Sequence, residues 1–221
     1  MVQHKGLSFK RIGHASVRIE TEDGRVIYID PWSEVMGDDE PGDADFVFIT
    51  HDDFDHYDPE GIARVSKGDT QVVAYDAIDT SNLDLPVTEL AYNGELTVDG
   101  IEVRAVPAHN RADGDHVDDS GEPFHAKEEV VGLLLTVDGT TVYFASDTDF
   151  LDEHKEITAD IFIPPIGGHY TMDRREAAEF SESVDPDLVL PVHYDTFEAI
   201  ETDAKAFKRD VEKKGSEVEL F

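Results

Sequence analysis

At 221 residues and 39% apolar content, the chain can bury one sizeable core, and one α/β domain over residues 1–221 is expected, or two tightly merged halves. It has no cysteine, which excludes disulfides, thiolate nucleophiles and cysteine-held zinc and leaves imidazole and carboxylate as the metal-binding groups. Eighteen Lys plus Arg against 51 Asp plus Glu give a net charge of −33, which disfavours nucleic-acid partners and fits a surface adapted to very high salt.

No apolar run approaches the roughly 20 residues of a membrane span. Residues 1–10 lack the apolar stretch and cleavage site of a signal peptide, so the expected location is the cytoplasm. Short strand-like runs begin at residues 7–10, 16–20 and 26–29 and carry β-branched or aromatic side chains. A helix follows, opened by Asp58-Pro59 and stopped by Gly68. Further strands are expected at 46–49, 72–75, 103–106, 130–137, 142–145, 161–163 and 188–192. Several are apolar on consecutive residues, as in strands buried on both faces. Glu22-Asp23-Gly24, Asn93-Gly94, Asp99-Gly100 and Asp138-Gly139 read as hairpin turns.

Residues 111–123 hold four aspartates and two glycines, too long and polar for an ordinary connection, and read as a surface loop or lid. A second helix follows Asp173, with Glu176 as its capping-box partner and Ala177, Phe180 and Val184 on one face. A third is expected from Phe197 to Lys214, with Phe197, Ile200, Ala204, Phe207 and Val211 on one stripe and Gly215 at its end. Residues 217–220 can add a last strand. Strand-rich halves with a few amphipathic helices imply packed sheets with helices outside, a four-layer αββα sandwich.

Four apolar strands run into groups able to hold a metal. Residues 46–50 lead into His51-Asp52-Asp53-Phe54-Asp55-His56, 103–106 into His109, 142–145 into Asp147, and 188–192 into His193. Strand ends can gather side chains from distant sequence on one rim, held rigid by the buried strands beneath. One histidine after a strand is usually structural, but four such coincidences point to a metal site. No P-loop and no Gly-x-Ser-x-Gly elbow is present.

His51-x-Asp53-x-Asp55-His56, followed by His109, Asp147 and His193, resembles the ligand set of the metallo-β-lactamase superfamily, whose first motif is usually His-x-His-x-Asp-His. Gly13-His14, Ile29-Asp30-Pro31-Trp32, Ser146-Asp147-Thr148-Asp149, the run from Pro165 through Gly167-Gly168-His169 to Met172, and Pro191-Val192-His193-Tyr194 are similar to the small metal-dependent hydrolases related to ascorbate-phosphate lactonases. The resemblance covers nearly the whole chain. It implies the metallo-β-lactamase sandwich and a divalent metal centre of one or two ions, zinc first, with manganese or iron as alternatives. His51, Asp53 and His109 would hold one ion and Asp55, His56 and His193 the other, with Asp147 bridging. Metal-activated water would attack a small ester, lactone or phosphoester, with Asp55 orienting that nucleophile.

Asp53 departs from the pattern, which has His there. A carboxylate is shorter and adds negative charge, leaving three outcomes open: a carboxylate-bearing dinuclear site, a site filled mainly at the second position, or a silent one. Diiron flavoproteins of the same superfamily use Glu in that slot, but this chain has no room for their flavin domain.

Other residues carry two readings each. His14 is a hydrogen-bond partner of a ligand or a turn residue, and Asp30 supports a ligand histidine or caps the turn before Pro31. His169 is a catalytic candidate that would donate to a developing oxyanion or bind substrate. His116 and His125 read as solvent-facing beside the polar loop, with substrate gating as the alternative, and His4 and His154 read as surface. Asp149 is the first choice among the remaining aspartates for supporting a ligand. The expected partner is a small-molecule substrate, and a homo-oligomer stays open. The alternatives are a phosphodiesterase or nuclease of the same fold, or a non-catalytic metal-binding protein weakened by Asp53.

Overall fold

The computed structural model describes all 221 residues. The first half forms a seven-stranded sheet in sequential order: β1 (Val2–His4), β2 (Leu7–Gly13), β3 (Ser16–Glu20), β4 (Val26–Ile29), β5 (Ala44–Ile49), β6 (Ser66–Tyr75) and β7 (Val87–Leu90). The second half repeats the plan with β8 (Glu95–Val98), β9 (Ile101–Ala108), β10 (Val130–Val137), β11 (Thr140–Phe144), β12 (Ile161–Ile163), β13 (Leu188–Val189) and β14 (Glu217–Val218). In each sheet the first four strands pair antiparallel and the last three add in parallel. Four α-helices accompany them: α1 (Ser33–Met36), α2 (Pro59–Val65), α3 (Arg174–Val184) and α4 (Ala204–Glu212). Two mixed sheets with flanking helices make the α/β sandwich of the metallo-β-lactamase fold. No helix is long and apolar enough to cross a membrane.

A cluster of 38 buried apolar residues fills the space shared by the sheets, with Phe9, Ile27 and Phe48 from one and Leu133, Phe144 and Ile163 from the other. Eighteen more, including Phe162, Phe180 and Phe207, join the second sheet to α3 and α4. Continuous burial along β4, β12 and the Val142–Phe144 end of β11 follows from apolar material on both faces of those strands.

Local boundaries differ from expectation where polar side chains intervene. The third helix starts at Ala204, not Phe197, because Asp203 accepts from the Ala206 N–H and caps a new start. Residues Glu198–Ile200 form a separate 3-10 turn. α2 ends at Val65, and Gly68 lies inside β6. Asp173 caps α3 as expected, but Glu176 reaches the Phe150 N–H instead of closing a capping box. Asp99-Gly100 and Asp138-Gly139 turn true hairpins, whereas Asn93-Gly94 lies in the connection that carries the chain from one sheet to the other. β7 and β8, absent from the expected elements, are the edge strands on either side of that passage.

His154, expected at the surface, is fully buried against Phe180, with ring centroids 4.8 Å apart. Nε2–H donates to the Pro107 carbonyl (2.7 Å) and Nδ1 accepts from the Leu151 N–H (3.2 Å), so a neutral ring satisfies both atoms. Burial, against the pull of the Pro107 carbonyl, lowers its pKa to about 4. The unfolded ring prefers protonation below its ordinary value, so this stabilisation is complete above that value and is lost as pH falls towards 4. Going from pH 7 to pH 5, the metal-free protein should lose about 2 kcal/mol from this group. Urea titrations at both pH values would show it as a smaller acid loss in His154→Gln, whose amide cannot protonate.

Candidate metal centre

The rim where the sheets meet carries the chemistry, and its backbone is tightly constrained. His14, Asp30, Ser146 and His193 all take left-handed conformations, with φ of 50°, 46°, 60° and 52°. Such values are uncommon outside glycine and persist where surrounding structure imposes them. The His193 N–H donates to the His14 carbonyl (3.0 Å), stitching the two halves together beside the site. Gly167 approaches the His193 carbonyl so closely that a Cβ would stand 2.4 Å from its oxygen.

Asp30, fully buried at the end of β4, organises the first histidines. Its Oδ1 accepts from the Thr50 N–H (3.0 Å), and its Oδ2 accepts from Thr50 Oγ1 (2.7 Å) and His56 Nδ1 (2.8 Å). Having spent its proton on Asp30, Thr50 Oγ1 accepts from His51 Nδ1 at 2.9 Å. Both rings therefore carry hydrogen on Nδ1 and turn Nε2 towards the space beside Asp147. Asp30 supports ligand candidates, the first of its two expected roles.

Asp147 lies at the centre, with Oδ1 3.4 Å from His56 Nε2 and Oδ2 3.1 Å from His193 Nε2 and 3.5 Å from His125 Nε2. Against the burial that would raise its pKa, His193 and His56 hold this carboxyl well below the usual range. His56 is correspondingly raised: burial opposes its charge, but Asp147 and Asp30 outweigh it. His51, buried and beside His56, is pushed down. On one side of Asp147, Asp53 Oδ2 stands 3.2 Å from His125 Nε2 and 3.5 Å from His51 Nε2, and those two rings hold its carboxyl far below the ordinary value. On the other, Asp55, His56 and His193 gather with His14.

Three buried atoms have no hydrogen-bond partner and border this space: His51 Nε2, His56 Nε2 and Asp147 Oδ1. Orphaned buried polar atoms are costly, and imidazole nitrogens facing carboxylate oxygens are the donor set of a divalent cation such as zinc, manganese or iron. The residues fit a divalent metal centre, with His51, Asp53 and His125 on one side of Asp147 and Asp55, His56 and His193 on the other.

Six of the seven expected ligands converge here, and His109 does not. Its Nδ1 bonds to the Asn110 carbonyl (2.9 Å) and its Nε2 faces Glu153 (3.8 Å), away from Asp147. His125, expected to face solvent, is buried in the place His109 was to fill. Asn110 puts it there. Its N–H donates to the His125 carbonyl and its Oδ1 accepts from the His125 N–H, both at 2.9 Å. Its Nδ2 donates to Asp149 Oδ1 (3.1 Å) and the Tyr170 carbonyl (3.0 Å).

His116 is also turned inward, its Nδ1 2.6 Å from Asp149 Oδ1. Asp149 further accepts from the Arg111 N–H (2.8 Å), so it anchors the start and the middle of the polar loop instead of a ligand ring. His14 donates from Nε2 to Asp55 Oδ2 (2.8 Å), and its Nδ1 accepts from Thr196 Oγ1 (3.1 Å). Burial, only partly offset by Asp55, lowers it to about 4, so the ring is neutral and orients the carboxylate. His169 is exposed, packed on Phe124 (5.3 Å between centroids) and Tyr170, with no polar contact to the cluster. A cleft of about 360 Å³ opens beside His51, Asp53, Phe124 and His125, with Glu128 and Glu129 on its wall.

The Beta-lactamase superfamily domain matches residues 8–193. A UPF0173 metal-dependent hydrolase of Methanosphaerula palustris is 33% identical, over 91% of this chain and 89% of its own. That of Thermococcus kodakarensis is 35% identical, over 96% and 95%. Among solved structures, Igni18, a metallo hydrolase of Ignicoccus hospitalis, superposes with a TM-score of 0.79 at 27% identity, over 97% of this chain and 94% of its own. A Parabacteroides distasonis protein gives 0.82 at 29%, over 97% and 92%.

Proposed function

We propose, because this chain belongs to the UPF0173 metal-dependent hydrolases of the β-lactamase superfamily, that it cleaves a small ester, lactone or phosphoester at a dinuclear centre of zinc. His51, Asp53 and His125 would hold one ion, Asp55, His56 and His193 the other, and Asp147 both. Bound divalent ions would supply a water acidic enough to give hydroxide near neutral pH and would polarise the bond attacked.

The chain's own groups do the rest. Asp30 and Thr50 hold the Nδ1 atoms of His56 and His51, so both rings turn Nε2 inward before any ligand arrives. Asp55, held by neutral His14, presents its carboxylate to orient the nucleophile and accept its proton. The observation that carries this reading is the set of buried, unpartnered Nε2 atoms of His51 and His56 around Asp147. The whole chain would act as one domain in the cytoplasm. The charge of −33 fits a habitat of molar salt, where screening removes self-repulsion.

Metal analysis of the purified protein, beside turnover of a panel of lactones, aryl esters and phosphodiesters in molar KCl, tests the proposal. About two ions per chain and hydrolysis of at least one class, lost with a chelator and restored by zinc, is the expected result. Stoichiometric metal without turnover, also after Asp53→His, would favour a metal-binding protein.

A further inference from the structure

Apart from Met1, Phe54 (69%) and Phe197 (37%) are the only large hydrophobic side chains exposed on this acidic protein. They flank one buried indole. Trp32 stands 5.8 Å from Phe54 and 6.0 Å from Phe197 between centroids, within the 4.5–7 Å range of favourable aromatic pairs. His14 lies against the same group, 5.4 Å from Trp32 and 5.5 Å from Phe197, and donates to Asp55.

Phe54 is the residue between Asp53 and Asp55, both in the metal-binding cluster. Its ring is displayed on a loop that otherwise presents carboxylates, where a polar residue would be cheaper in water. Folding does not account for it, since the ring leaves most of its surface in solvent. A second copy of the chain is a poor occupant. Two partly exposed rings offer at most a few hundred Å², against about 800 Å² per partner in a stable interface. The position beside the ligands fits a substrate whose reacting bond sits at the centre and whose apolar end extends over the rings. Asp53, Glu128 and Glu129 line the cleft beside His51 and His125, so an anionic group is disfavoured there.

Resting on the metal-centre reading above, we propose that Phe54, Trp32 and Phe197 form a substrate subsite for an aromatic or similarly flat apolar group next to the scissile bond. The hydrolase then takes aryl-bearing or other hydrophobic small esters and lactones in preference to short polar ones.

Benzohydroxamate and acetohydroxamate offer a metal the same chelating oxygens and differ in the phenyl ring. Calorimetric titration of both into the zinc-loaded full chain in molar KCl reads the subsite without any turnover. The ring should tighten binding at least about tenfold, from the apolar surface it covers. In Phe54→Ala and Phe197→Ala that ratio should fall towards unity, with zinc content checked in each variant. A ratio near one in the parent protein, or an unchanged ratio in both variants, would overturn the subsite. Binding of neither hydroxamate to the parent would overturn the metal centre and the subsite with it.

Discussion

His125→Ala should lower zinc content from about two ions per chain to about one and cut turnover by at least about a hundredfold, as expected for losing one metal of a two-metal site. His109→Ala should keep both ions and change turnover by less than about threefold, within ordinary surface effects. The contrast follows from geometry: His125 Nε2 faces Asp53 and Asp147, whereas His109 Nε2 faces Glu153. Elemental analysis of the two variants, purified side by side, separates them. Loss of metal in His109→Ala with retention in His125→Ala would reverse the assignment.

Asp147→Ala has a larger expected effect, because its carboxylate faces both halves of the centre, His56 and His193 on one side and His125 on the other. Both ions should be lost together and turnover should fall at least about a thousandfold, since no metal then lowers the pKa of the attacking water. In the metal-free protein the same change removes the partner that holds His56 charged, so the His56 pKa should drop sharply. An NMR titration of the imidazole protons checks this second effect independently of activity.

Much of the architecture was legible because buried strands announce themselves as apolar runs. β5, β10, β11 and β12 fall where consecutive aliphatic and aromatic residues stand, and hairpin turns at Asp99-Gly100 and Asp138-Gly139 fall on Asp-Gly pairs. β7 and β8 were hidden because edge strands bury little: Val87–Leu90 and Glu95–Val98 have one buried residue each. The false start of the third helix arose because Phe197 and Ile200 lie at helical spacing from Phe207. A cap at Asp203 lies between them, and Phe197 serves the rim beside the site.

Among the ligand candidates, His51, Asp147 and His193 follow apolar strand runs directly, and that placement is what singles them out in the sequence. His109 satisfies the same rule, yet its ring is turned outward by the bond to the Asn110 carbonyl. His125 breaks the rule, since it precedes β10 and arrives at the site at the end of a polar loop. Its position depends on Asn110 and Asp149, a contact across 15 residues of chain for which no local pattern exists. The sequence signal available was Asn110 itself, a polar residue two positions past the end of β9 that is buried in the fold. Asp30 was a recognisable candidate, but its simultaneous hold on Thr50 and His56 is visible only in three dimensions.

The most direct test is an anomalous difference map from crystals of the zinc-loaded protein, recorded at the zinc edge. Two peaks are predicted, about 3.5–4 Å apart, with Asp147 between them. One should touch His51, Asp53 and His125, the other Asp55, His56 and His193. A peak held by His109 and Glu153, or no peak beside Asp147, would contradict the account.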